Sequence, residues 1–137
     1  MEHFFSVNRV YLAEDGSNLT DVEVLRAGMI QDRGLKITQK MLSAFVQNFK
    51  DDVYGTELQV NKDHQGGEAM GWIKNLFLDP ENESRLMATI EWTKLGVEKI
   101  KDKLYKFVSA EFSTKYPHHK TGKLMDNVFS GLALTNT

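Results

Sequence analysis

Apolar and polar positions alternate with a period of two along most of this chain and switch to a helical period in two places. Phe5 and Val7 alternate with smaller residues and Val10, Tyr11 and Leu12 follow, which predicts a first strand closed by the turn Glu14-Asp15-Gly16-Ser17-Asn18. Val22 to Ala27 reads as a second short strand, ended by Gly28. Leu42, Phe45, Val46 and Phe49 then fall at i, i+3, i+4 and i+7, the apolar face of a helix that Thr38 can cap. Asp51 and Asp52 stand at its C-terminal end, where the helix dipole disfavours negative charge, and mark its stop.

Alternation resumes at Leu58 and Val60 and runs towards His64, before Gly66 and Gly67 break it. Residues 69–78 and 85–92 read as strands joined by the short turn Asp79-Pro80-Glu81-Asn82, so the two should pair as a hairpin. Thr93 can cap a second helix, with Val97, Ile100 and Leu104 on one face. Residues 105–112 form an aromatic and β-branched strand, 116–122 a loop, and 128–134 a last strand. The pattern predicts an α+β domain, an antiparallel β-barrel of about seven strands with two or more flanking helices. No repeat, low-complexity tract or proline-rich linker divides the 137 residues, so 1–137 reads as a single domain.

Composition narrows the field of functions. The chain is 41% apolar and 26% charged with a net charge of -2, an ordinary globular balance that does not point to nucleic acid. It has no cysteine, which removes disulfides, thiolate metal sites and a cysteine nucleophile together. No apolar run approaches the ~20 residues of a transmembrane helix, and the N-terminus lacks a signal-peptide pattern. No membrane, nucleic-acid or cofactor partner is expected.

Two residues carry candidate chemistry. A regular strand over 58–64 would set Leu58, Val60, Lys62 and His64 on one face and turn the imidazole inward. Ser109 lies in a strand whose Val108, Ala110 and Phe112 form one face, leaving Phe107, Ser109 and Glu111 on the other. Taken singly, each has a plain structural reading: a histidine bonded to backbone, and a strand serine. Together they allow a serine nucleophile with a histidine base, although no G-x-S-x-G elbow is present. His118 and His119 sit in a polar loop, where neighbouring side chains would point different ways, and no H-E-x-x-H occurs. Asp63, His64 and Glu68 could in principle hold a metal.

Several segments, taken in order, resemble the Mu-like phage capsid-maturation (prohead) protease family, the I protein group. Val24-Leu25-Arg26-Ala27-Gly28 is similar to an early "LPAG" segment, and the helix ending Phe45-Val46-Gln47-Asn48-Phe49 follows. Asn61-Lys62-Asp63-His64-Gln65 resembles "D-x-[DE]-H-Q", and Ala69-Met70-Gly71-Trp72-Ile73 resembles "AAGWI". Glu91-Trp92-Thr93 with Gly96 resembles "EWT…G", residues 105–112 resemble "YRYLSPVF", and Leu132-Ala133-Leu134-Thr135-Asn136 resembles "AALTN". Asn61 and Ala110 depart from the Asp and Pro of those patterns.

The resemblance implies a fold like that of the herpesvirus assemblin-type serine proteases, with His64 and Ser109 as catalytic base and nucleophile. It implies a serine endopeptidase that cleaves scaffold and major capsid proteins, and itself, inside the assembling prohead in the host cytoplasm. Assemblin relatives are activated by dimerisation, which raises self-association. For the third catalytic residue Glu111 and Asp63 rank ahead of Asn136, and the loop 114–122 is the expected source of oxyanion-hole amides. A non-catalytic capsid-assembly or scaffold-binding module of the same fold is the alternative. Family members continue into a scaffold-like helical region, so the end at Leu134-Thr135-Asn136-Thr137 is read as an engineered cut or a self-processed product.

Overall fold

Seven strands and two helices form the domain in a computed structural model that describes residues 2–30 and 34–136, with side chains from Asn8 onward. In chain order they are β1 (Glu2–Arg9), β2 (Leu19–Arg26), α1 (Gln39–Lys50), β3 (Leu58–Lys62), β4 (Gly71–Asp79), β5 (Asn82–Trp92), α2 (Lys94–Lys101), β6 (Phe107–Pro117) and β7 (Leu124–Thr135). The strands make one sheet in the order β1-β6-β7-β3-β4-β5-β2. It curls until its edge strands β1 and β2 touch without a ladder between them, giving a nearly closed barrel.

The expected barrel and hairpin are there, with one correction. The sheet is mixed, because β3 and β7 run parallel while the other neighbours run antiparallel. Parallel neighbours need a long crossover, and the chain from β3 to β7 supplies one by passing through β4, β5, α2 and β6. β7 enters last and slots between β6 and β3.

The core lies between α1 and the inner faces of the strands. Thr38 caps α1 by accepting from the Met41 amide at 3.1 Å. Leu42 and Phe45 are fully buried, and the Phe45 ring meets Phe112 edge-on at 5.0 Å and Phe129 at 5.9 Å. Burying a phenylalanine contributes about 2–3 kcal/mol, and here it fixes α1 against β6 and β7. The second helix is shorter than expected. It ends at Lys101, so Leu104 falls outside it and is half exposed rather than sharing the buried face of Ile100.

Two motif segments meet in a single joint. Thr93 caps α2 by accepting from the Gly96 amide at 3.2 Å, and its own hydroxyl reaches Ala69 O at 2.9 Å and Met70 O at 3.0 Å. The Thr93 amide also donates to Met70 O at 2.9 Å. A Cβ at Gly96 would lie 1.9 Å from that same carbonyl oxygen. Backbone cannot yield as a flexible side chain can, so Gly96→Ala is expected to cost about 3 kcal/mol. A thermal melt should show a fall of roughly 10 °C; an unchanged midpoint would show that the joint has slack.

Candidate active site

The site is built where β3, β7 and β6 lie side by side. Directly opposed strand residues project to the same face. Ser109 opposes Ala133, and Ala133 opposes Asn61, so the three form one row across the sheet. Glu111 opposes Gly131, and Gly131 opposes Gln59, forming the next row. The alternate residues Val60, Leu132 and Ala110 point into the core with no exposure. Ser109, Asn61 and Glu111 therefore share the face turned away from the core.

His64 reaches this face by a turn, not by strand alternation. β3 ends at Lys62, and Asp63 and His64 both adopt positive φ, 53° and 60°. The Gln65 amide closes the turn onto Lys62 O at 3.0 Å. Two central residues at positive φ are the pattern of a type I′ turn, costly for residues with a Cβ. This corrects the expectation of a strand running through His64. The imidazole does not follow Leu58 and Val60 into the core; it folds back over the outer face.

There His64 Nδ1 meets Glu111 Oε2 at 2.7 Å. The same oxygen accepts from Asn61 Nδ2 at 2.8 Å. A carboxylate can only accept, so Nδ1 carries a hydrogen; in the neutral ring this leaves Nε2 as the acceptor nitrogen. The Glu111 side chain lies alongside Gly131, where a Cβ would stand 3.6 Å from Oε1 and 2.8 Å from Gln59 O. Only glycine lets β7 come so close to β3 at this point.

The other sequence candidates are occupied elsewhere. The Asp63 carboxylate accepts from the Tyr105 hydroxyl at 3.1 Å. Partial burial, that hydrogen bond and the Asp63 charge raise the Tyr105 pKa above its ordinary value. Asn136 accepts from the Lys106 amide at 3.1 Å and donates to Leu104 O at 2.7 Å, tying the end of β7 to the entry of β6. Among the described residues, no group of three or more His, Asp or Glu comes together in a way that could hold a metal, so Asp63, His64 and Glu68 do not converge. The His118 and His119 rings stack 5.0 Å apart rather than diverging, and His119 Nδ1 donates to Val53 O at 3.2 Å.

The first four residues of the loop expected at 114–122 are strand, since β6 continues to Pro117. The turn beyond it begins nine residues after Ser109, roughly 30 Å along an extended chain. It cannot supply an oxyanion hole at Ser109. Sequence reasoning missed the part played by Asn61 as a donor to Glu111. The one available signal was its place three residues before His64, where the family pattern has Asp.

An open cleft of about 380 Å³ reaches Glu111 and Asn61, with Gly66, Trp72 and Tyr54 also in its wall; His64 and Ser109 do not line it. Ser109 itself is 2% exposed, and the His64 and Glu111 side chains are 20% and 16% exposed. A serine hydroxyl, an imidazole bonded to a carboxylate, and an adjoining open cleft are residue types and surroundings that hydrolase sites use.

Residues 22–137 match the family model described as "Mu-like prophage I protein, N-terminal domain". The chain belongs to that family, and its function is phage-related. No curated protein and no solved structure matches it.

Proposed function

We propose that this domain is a serine endopeptidase of prophage head maturation, with Ser109 as nucleophile, His64 as general base and Glu111 as the residue that orients the base. The observation that carries the reading is the 2.7 Å contact between His64 Nδ1 and Glu111 Oε2, on the sheet face that also holds Ser109. His64 Nε2 takes the Ser109 proton as Oγ attacks the scissile carbonyl, then returns it to the leaving amine. Glu111 holds the ring in the required tautomer and offsets the charge of the imidazolium. Water then hydrolyses the acyl-enzyme by the same steps. Scaffold and major capsid proteins are the proposed substrates, cleaved inside the prohead in the host cytoplasm, and self-cleavage and self-association belong to the same reading.

A second reading, a non-catalytic assembly module, is favoured by one fact, the near-complete cover over Ser109. A small fluorophosphonate separates the two. The protease should take up one equivalent, and peptide mass mapping should put it on Ser109. Absence of adduct from a folded domain after prolonged incubation would leave the assembly module standing.

A further inference from the structure

Asn61 is 6% exposed, and its two polar atoms have unequal fates. Nδ2 donates to Glu111 Oε2 at 2.8 Å, while Oδ1 is buried with no hydrogen-bond partner. Leaving a buried acceptor unpaired destabilises a fold, and such groups in native structures call for an explanation. Turning the amide over would not help, because it would set Oδ1 against the carboxylate oxygen. An apolar side chain of similar size would remove the unpaired acceptor altogether. Stability therefore does not account for asparagine at this position, and the bond it makes to Glu111 does.

That bond has a specific geometric effect. Glu111 Oε2 receives Asn61 Nδ2 and His64 Nδ1 together. A glutamate on a strand has three side-chain torsions and lies here beside Gly131, which has no side chain to confine it. A donor from a neighbouring strand supplies the missing restraint. Asn61 sits on β3, two strands from β6, and its own backbone is pinned in register with Ala133 of β7. It thus ties the carboxylate to the frame that also carries Ser109.

We infer that Asn61 is a positioning residue: it locks the Glu111 carboxylate so that one oxygen faces His64 Nδ1, and the fold bears an unpaired buried oxygen in exchange. The inference rests on the protease reading for its kinetic consequence, but its structural content concerns the imidazole alone. Asn61→Leu deletes the donor and the orphan together. The variant should melt at or above the wild-type temperature, yet react with a fluorophosphonate at Ser109 roughly 10- to 100-fold more slowly.

Long-range proton–nitrogen NMR supplies the second measurement. In its neutral form, His64 of the wild-type domain should show a single tautomer, protonated at Nδ1, and Asn61→Leu should show a mixture of tautomers. Asn61→Ala, which also removes the N–H donor, should give the same slowed reaction if the leucine variant does not fold. Wild-type labelling rates together with an unchanged His64 tautomer in either variant would overturn the inference while leaving the protease reading intact. If Ser109 of the wild-type domain resists the reagent, the protease reading falls, and the tautomer comparison alone decides the role of Asn61.

Discussion

Ser109→Ala should abolish cleavage of a longer precursor of this chain and of purified scaffold and capsid proteins. Removing the nucleophile of a serine protease lowers turnover by roughly six orders of magnitude, because the remaining groups cannot act without it. The substitution deletes one oxygen from a residue that is already 2% exposed and flanked by Ala133 across the ladder. The fold should therefore survive, with circular dichroism and melting temperature close to wild type. A folded Ser109→Ala domain that still cuts at the wild-type rate would remove Ser109 from the mechanism, however well the imidazole is oriented.

Glu111→Ala should come second, with a loss of about 10⁴ in turnover, the scale seen when a serine protease loses its orienting carboxylate. Glu111→Gln should cost less, for a reason specific to this site. A glutamine here could offer either its oxygen or its amide nitrogen to His64. The Asn61 N–H requires an acceptor at the same point, since both donors meet on a single atom of Glu111. The glutamine oxygen is therefore held towards the ring and the correct tautomer persists. Only the negative charge opposite the imidazolium is lost. Equal losses for the alanine and glutamine variants would show that the charge, and not the orientation, is the whole contribution of Glu111.

The barrel could be foreseen because its signals are local. The hairpin of β4 and β5 follows from Asp79 to Asn82, and both helices begin at the threonines that the apolar periodicity singled out, Thr38 and Thr93. The parallel pairing of β3 with β7 was not legible, since residues some seventy positions apart leave no mark on each other's periodicity. At the site, Glu111 could be ranked because its two-residue spacing from Ser109 puts both on one strand face. The route of His64 could not. Alternation extrapolated through Lys62 gave the wrong side, because Asp63 and His64 leave the strand at positive φ, a conformation Asp and His adopt more readily than most residues but which their period-two pattern does not signal. The bond from Asn61 to Glu111 crosses two ladders and fifty residues, beyond anything that residue spacing encodes.

The position of β7 has a consequence for timing. It lies between the strand that carries Ser109 and the strand that carries Asn61 and leads to His64. A nascent polypeptide still attached to the ribosome, with residues 124–135 not yet emerged, has no frame on which to bring those groups together. On the proposed protease reading, hydrolytic competence would then appear only after β7 has paired with both of its neighbours.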